Sequence, residues 1–155
     1  MLNMISTLMG YDEELAPILE KIAHRIISRR ITYTCCSKIF RGVLELNDYE
    51  ELISAIKNCK VTVVNFYSTN CPYCRAYHPV FEYVASKYSG RAGFYRLNID
   101  YNPEIAWRME ILGTPTTILF VNGKQINQLY GYITPEVLER HVVAALDKAK
   151  CLNKG

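Results

Sequence analysis

Two cysteines separated by two residues, Cys71-Pro72-Tyr73-Cys74, have the spacing of a thiol pair that can close and reopen a disulfide. Opening and closing such a pair moves two electrons to or from a partner disulfide. The reactive species is the thiolate, and the flanking sequence supports one. Before the pair runs Val61-Thr62-Val63-Val64-Asn65-Phe66-Tyr67, a β-branched and aromatic stretch that reads as a buried strand. After it, Tyr77, Val80, Phe81 and Val84 recur at helical spacing, which predicts an amphipathic helix from Arg75 to Tyr88. The pair therefore falls where a strand hands over to the first turn of a helix. Unpaired backbone N–H groups and the helix dipole stabilise an anion there, lowering a thiol pKa. No other cysteines stand at the spacing of a second zinc half-site, so no metal is expected.

The elements that must position this pair follow from local pattern. Ile39 to Leu46 is an expected strand, and Asn47 or Asp48 caps a helix reaching about Cys59. Ala92 to Ile99 is a third strand, and Asn102-Pro103 opens a short helix to about Glu110. Thr116–Val121 and Lys124–Tyr130 are joined by Asn122-Gly123, a two-residue hairpin signal. Thr134-Pro135-Glu136 starts a last helix, with Val137, Leu138, Val142 and Leu146 on one face. This order predicts an α/β fold with a mixed sheet flanked by helices: crossovers join parallel strands and the hairpin adds an antiparallel edge.

The chain has 155 residues, half of them hydrophobic, enough for one core and an appendage. The expected division is an N-terminal extension over 1–37 and a domain over 38–150. A formal charge of +3 is too mild to suggest a nucleic-acid partner. No apolar run approaches the ~20 residues needed to span a bilayer. The start has no basic leader region and soon meets Asp12, Glu13 and Glu14, so a cytoplasmic protein is expected. In the extension, Pro17 opens a helix with Ile18, Leu19, Ile22, Ile26 and Ile27 on one face and Arg25, Arg29 and Arg30 towards its end. Its expected role is packing on the domain or pairing with a second copy through residues 17–30. Docking of another partner or a membrane-surface helix are the alternatives.

The other chemistry-bearing residues have plainer readings. Adjacent cysteines close a bridge only with backbone distortion, so Cys35 and Cys36 are expected as free thiols, a vicinal disulfide or second redox pair being the alternative. Cys59 reads as a small hydrophobe at a helix end, and Cys151 as part of a frayed tail able to cross-link two chains. His78 reads as a solvated helix position and otherwise as an acid or base near the thiols, and His24 and His141 as surface residues.

Residues of about 38 to 148 resemble a thioredoxin. The resemblance rests on the Cys-x-x-Cys pair, Pro79, Leu97-Asn98-Ile99-Asp100, Gly113-Thr114-Pro115-Thr116, Asn122-Gly123-Lys124 and Gly131, in that order. It implies that an exposed Cys71 attacks a target disulfide and that the less exposed Cys74 resolves the mixed disulfide. It further implies a cis peptide bond before Pro115, a Thr114 backbone free to pair with an extended substrate, and a surface around Cys71 kept open by Gly113 and Gly131. The implied substrates are protein disulfides, the electron donor a thioredoxin-reductase-like enzyme or a small thiol, and the redox disulfide serves in place of any cofactor. A different class is a binding scaffold that contacts partners through the extension, or a glutaredoxin-like exchanger or iron–sulfur cluster carrier.

Three departures from the thioredoxin pattern bear on the chemistry. Asn65 stands where thioredoxins usually bury a carboxylate that helps deprotonate the second cysteine, and Arg96 where a Lys often accompanies it. Pro72-Tyr73 is the glutaredoxin dipeptide and not the usual Gly-Pro. Tyr67 and Asn70 replace positions that often carry Trp, making the surface beside Cys71 more polar.

Overall fold

The computed structural model describes residues 16–23 and 35–152. The chain divides into two units, residues 1–33 and 34–155. In the first, residues 16–23 are helical, and Ile18, Leu19 and Ile22 are exposed. The rest of the expected amphipathic helix, with His24, Arg25, Ile26, Ile27, Arg29 and Arg30, lies outside the described residues.

The second unit carries the cysteine pair. Its elements run β1 (Val43–Leu46), α1 (Tyr49–Asn58), β2 (Val61–Tyr67), α2 (Pro72–Tyr88), β3 (Gly93–Asn98), α3 (Pro103–Arg108), β4 (Thr116–Val121), β5 (Lys124–Tyr130) and α4 (Pro135–Lys148). The strands form one sheet in the order β1-β3-β2-β4-β5. β1, β3 and β2 are parallel, while β4 and β5 are antiparallel to their neighbours. This is the mixed α/β architecture expected from the pattern. β2 is buried on both faces because helices cover both. Val61 and Val63 join Tyr77, Phe81, Val84, Leu138, Val142 and Leu146 in the core beneath α2 and α4. Val64 and Phe66 face the opposite core with Leu52, Leu97, Ile105 and Ile118.

Local chemistry sets the element ends. The Asp48 carboxylate caps α1 by accepting the Glu51 N–H at 2.7 Å, and Glu51 reaches back to the Asn47 N–H, also at 2.7 Å. Thr134 caps α4, with Pro135 at its first position. β1 is shorter than the expected Ile39–Leu46. Gly42 takes a left-handed conformation at φ 76° and interrupts the extended run, leaving Ile39 and Phe40 exposed.

Four cysteines depart from expectation. Cys35 and Cys36 are not free thiols, nor do they bridge each other: Cys35 is bonded to Cys151 and Cys36 to Cys59. Cys59 is thus more than a small hydrophobe. Cys151 is buried and bonded within the chain. The physical reason is backbone apposition that no local pattern displays. Cys36 pairs with Cys59 as an antiparallel bridge, the Ser37 N–H donates to Asn58 O and the Lys60 N–H to Cys35 O, each at 2.7 Å.

Candidate active site

Cys71 is the N-cap residue of α2, with extended backbone, and Pro72 occupies the first helical turn. The Cys71 Sγ accepts the Cys74 N–H at 3.1 Å, so the sulfur takes the place of the usual capping oxygen. A thiolate there would receive the same N–H and the positive end of the helix dipole. Cys71 and Cys74 are joined as a disulfide. Cys71 is 6 % exposed and Cys74 2 %, so Cys71 is the more accessible, yet it is less open than the expected exposed nucleophile. The cover comes from the loop before β4. Its Thr114 carbonyl oxygen and Oγ1 each lie 3.5 Å from the Cys71 Sγ.

That loop is held from several sides. The Thr114–Pro115 peptide is cis. Thr114 Oγ1 and Ser68 Oγ share a hydrogen bond of 2.7 Å, and the Gly131 N–H donates to Pro115 O at 2.8 Å. Gly131 itself has φ 76°, which an L side chain would strain. On the other flank the Asp100 carboxylate accepts the Thr69 N–H at 2.7 Å, tying the strand-to-helix turn to the end of β3. Ser68, Thr69 and Asp100 thus position the site, although their role was not evident from residue type. A Ser or Thr in a turn announces no partner many residues away.

The candidate modulating residues lie in one row across the sheet. Asn65 is in register with Arg96 on one side and Thr117 on the other, and Arg96 with Glu45. Asn65 shares its face with Val61 and Val63, so it points beneath α2, and Thr117 is hydrogen-bonded there to the Tyr77 hydroxyl at 2.8 Å. Asn65 is fully buried, and among the described residues neither its amide nitrogen nor its amide oxygen has a hydrogen-bond partner. Arg96 turns away from it. Its guanidinium stacks 3.9 Å from the centre of the Tyr67 ring and lies 3.9 Å from the Glu45 carboxylate. The Tyr67 hydroxyl donates to that same carboxylate. Burial and then the Glu45 contact push the Tyr67 pKa up to about 12. Burial likewise raises Tyr77.

Tyr73, beside Cys71, is exposed, as are Leu112, Tyr130 and Tyr132 around the loop and the end of β5. His78 is engaged by its own helix, its Nε2 lying 2.9 Å from the Glu82 carboxylate. His141 is not merely a surface residue, since its Nδ1 lies 3.3 Å from the Asn127 amide nitrogen. The described residues contain no helix long and apolar enough to cross a membrane.

The family model for thioredoxin matches residues 42–144. The chain belongs to the thioredoxin family. It is 35% identical over 109 residues to thioredoxin-like protein 1 of Schizosaccharomyces pombe, a match covering 70% of this chain and 37% of that protein. It is 34% identical over 86 residues to the thioredoxin of Staphylococcus saprophyticus, covering 53% of this chain and 83% of that one. The chain thus spans little more than a third of the Schizosaccharomyces relative and most of the Staphylococcus one. Among solved structures it matches thioredoxin from Malassezia sympodialis with a TM-score of 0.63 and 28% identity, covering 70% of this chain and 94% of that one. It matches oxidised mitochondrial thioredoxin 3 of Saccharomyces cerevisiae with a TM-score of 0.61 and 26% identity, covering 66% and 94%. The fold is a thioredoxin fold, and the family's general chemistry is thiol–disulfide exchange.

Proposed function

We propose that the protein reduces disulfides of other proteins by dithiol–disulfide exchange through Cys71 and Cys74. The observation that carries this reading is the Cys71 Sγ at the N-cap of α2, accepting the Cys74 N–H and lying against the Thr114 backbone. In the reduced protein the Cys71 thiolate attacks one sulfur of a target disulfide, and the other target sulfur leaves as a thiolate. Cys74 loses its proton and attacks the Cys71 Sγ, breaking the mixed disulfide. The second target thiolate leaves, the Cys71–Cys74 disulfide forms, and two electrons have passed to the target. An external dithiol or reductase returns the pair to the thiol state.

The rim supports an extended protein substrate. The strip around Thr114, Pro115 and Gly131 offers backbone beside the sulfur, and Tyr73, Leu112 and Tyr130 offer exposed apolar surface. A substrate strand laid there would place its disulfide over Cys71. Pro72-Tyr73 in place of Gly-Pro belongs to the same reading. The potentials typical of thioredoxin and glutaredoxins differ by roughly 40–70 mV, about 2–3 kcal/mol for two electrons. A shift towards the oxidising side is expected for this chain. A cytoplasmic home is part of the proposal where the cytoplasm tolerates structural disulfides, as in hyperthermophiles.

The test is single-turnover reduction of a disulfide protein by the pre-reduced chain. Cys71→Ser is expected to abolish the reaction, and Cys74→Ser to trap a covalent complex through Cys71. Undiminished reduction by Cys71→Ser would overturn the proposal. Equilibration of the wild-type pair against glutathione gives its potential, and a value at or below the ordinary thioredoxin range would refute the oxidising shift alone.

A further inference from the structure

We propose that the chain carries disulfides of two redox grades. Cys71–Cys74 exchanges, while Cys35–Cys151 and Cys36–Cys59 form a twin staple that stays closed under the conditions that open it. The argument starts from where each pair sits on its helix. Cys71–Cys74 lies at the N-terminal end of α2, where N–H groups and the dipole stabilise a thiolate and therefore the reduced state. Each staple pair has one cysteine at the opposite kind of helix end. Cys59 is the C-cap of α1. Cys151 stands two residues beyond the C-cap of α4, its N–H donating to Leu146 O and its Sγ 3.7 Å from Ala149 O. Carbonyl groups there oppose an anion, so reduction gives thiols without that stabilisation. A disulfide whose thiols are poor thiolates is the harder one to open. Lys57, Lys148 and Lys150 flank these sites and are exposed, and Lys60 next to Cys59 is only half-buried, so solvent screens their charge.

The second argument is apposition. All four staple cysteines are 3–5 % exposed. The 35–38 strip is held to the turn between α1 and β2 by backbone bonds on both sides of Cys36. The Asn58 side chain adds two more, accepting the Lys38 N–H and donating to Lys38 O at 2.9 Å each. An external thiol that opened Cys36–Cys59 would leave the two sulfurs held together, and reclosure would be intramolecular and fast. Because Cys35 and Cys36 are adjacent, the two bonds fasten one short strip to the helix-to-strand turn at Cys59 and to the C-terminal segment at Cys151. The active site can then turn over without unfastening the domain's two ends. The staple's closure does not depend on what Cys71 attacks.

The experiment equilibrates the oxidised full-length chain with graded ratios of reduced to oxidised dithiothreitol. Samples are quenched in acid, labelled with a maleimide in denaturant and mapped by mass spectrometry. Each disulfide opened takes two electrons and two protons from one dithiothreitol, which becomes its cyclic disulfide. Label is expected on Cys71 and Cys74 first, and on Cys35, Cys36, Cys59 and Cys151 only at ratios at least tenfold more reducing. Label on any of those four before reductant is added, or at the ratio that opens Cys71–Cys74, would overturn the proposal. In Cys71→Ser/Cys74→Ser the staple is titrated by itself, and its opening is expected at the same strongly reducing ratios. Opening under mild reductant in that variant also sinks it. Failure of the proposed function is separately visible as absent disulfide-reductase activity with the staple's midpoint unchanged.

Discussion

Asn65 is the residue at which the proposed chemistry is most directly tested. It lies beneath the active-site helix, fully buried, with an amide that cannot take up a proton as a base and that has no hydrogen-bond partner among the described residues. A carboxylate at this position could accept the Cys74 proton during resolution of a mixed disulfide. Asn65→Asp is therefore expected to speed release of the target at neutral pH by several-fold or more, below the roughly 10²–10⁴-fold that a well-positioned base can supply. Stopped-flow decay of a preformed mixed disulfide measures it, and an unchanged rate would remove Asn65 from the mechanism. Tyr67 governs a different property. Its folded pKa is raised from 10.0 to about 12, so the folded state holds its proton more tightly than the unfolded state does. The stabilisation is complete below the unfolded value and is lost as pH rises through about 12. Denaturant unfolding across this alkaline window is expected to show falling stability, with a shallower fall in Tyr67→Phe. An identical slope in the variant would assign the loss to other groups, Tyr77 first among them.

At the scale of elements, two helices end in the same way. After α3, the Glu110 N–H donates to Trp107 O and the Ile111 N–H to Ala106 O, with Glu110 at φ 55°. After α4, the Lys150 N–H donates to Asp147 O and the Cys151 N–H to Leu146 O, with Lys150 at φ 58°. Both are Schellman terminations, a place where glycine is the usual residue. The first delivers the chain to Gly113–Pro115 and the second delivers Cys151 to Cys35. A left-handed Glu or Lys costs about 1–2 kcal/mol, of which glycine's extra freedom in the unfolded chain takes back up to about 1 kcal/mol. Glu110→Gly and Lys150→Gly are each expected to stabilise the domain by about 0.5–1 kcal/mol without loss of turnover. Thermal melts of the oxidised proteins check this, and a lowered midpoint would mean that those side chains make contacts worth more than the backbone strain.

For the whole molecule the disulfides matter most. Cys36–Cys59 closes a loop with a sequence separation of 23, and Cys35–Cys151 one of 116. Chain entropy alone gives these about 3.5 and about 5 kcal/mol, figures that overlap because the loops are nested. Replacing Cys36 and Cys59 by Ala is expected to cost about 2–4 kcal/mol, seen as a lower denaturation midpoint, while the active-site potential stays where it was. A shifted potential would show that the staple and the active site are coupled. The two-sided burial of β2 makes such coupling physically open to test, since α1 and α2 pack on opposite faces of the same strand.

The sequence by itself determined the type and order of the elements and singled out the Cys71–Cys74 pair. A β-branched run, a helical stripe, an Asn-Gly turn and a Pro after a capping Thr each act over a few residues. Cys71-Pro72-Tyr73-Cys74 therefore had to fall where β2 hands over to the first turn of α2, with Cys71 as the N-cap. Its likeness to thioredoxins carried the loop at Pro115 as well. Tertiary structure alone decided the strand order, the approach of Thr114 to Cys71 and the burial of Asn65. It also decided which of the remaining cysteines bond. With Cys71–Cys74 marked by its spacing, the other four can pair in three ways, and local chemistry disfavours only the adjacent Cys35–Cys36 bridge. What selects Cys35–Cys151 and Cys36–Cys59 is the meeting of chain segments far apart in sequence, a long-range packing outcome that residue type and short-range spacing do not encode.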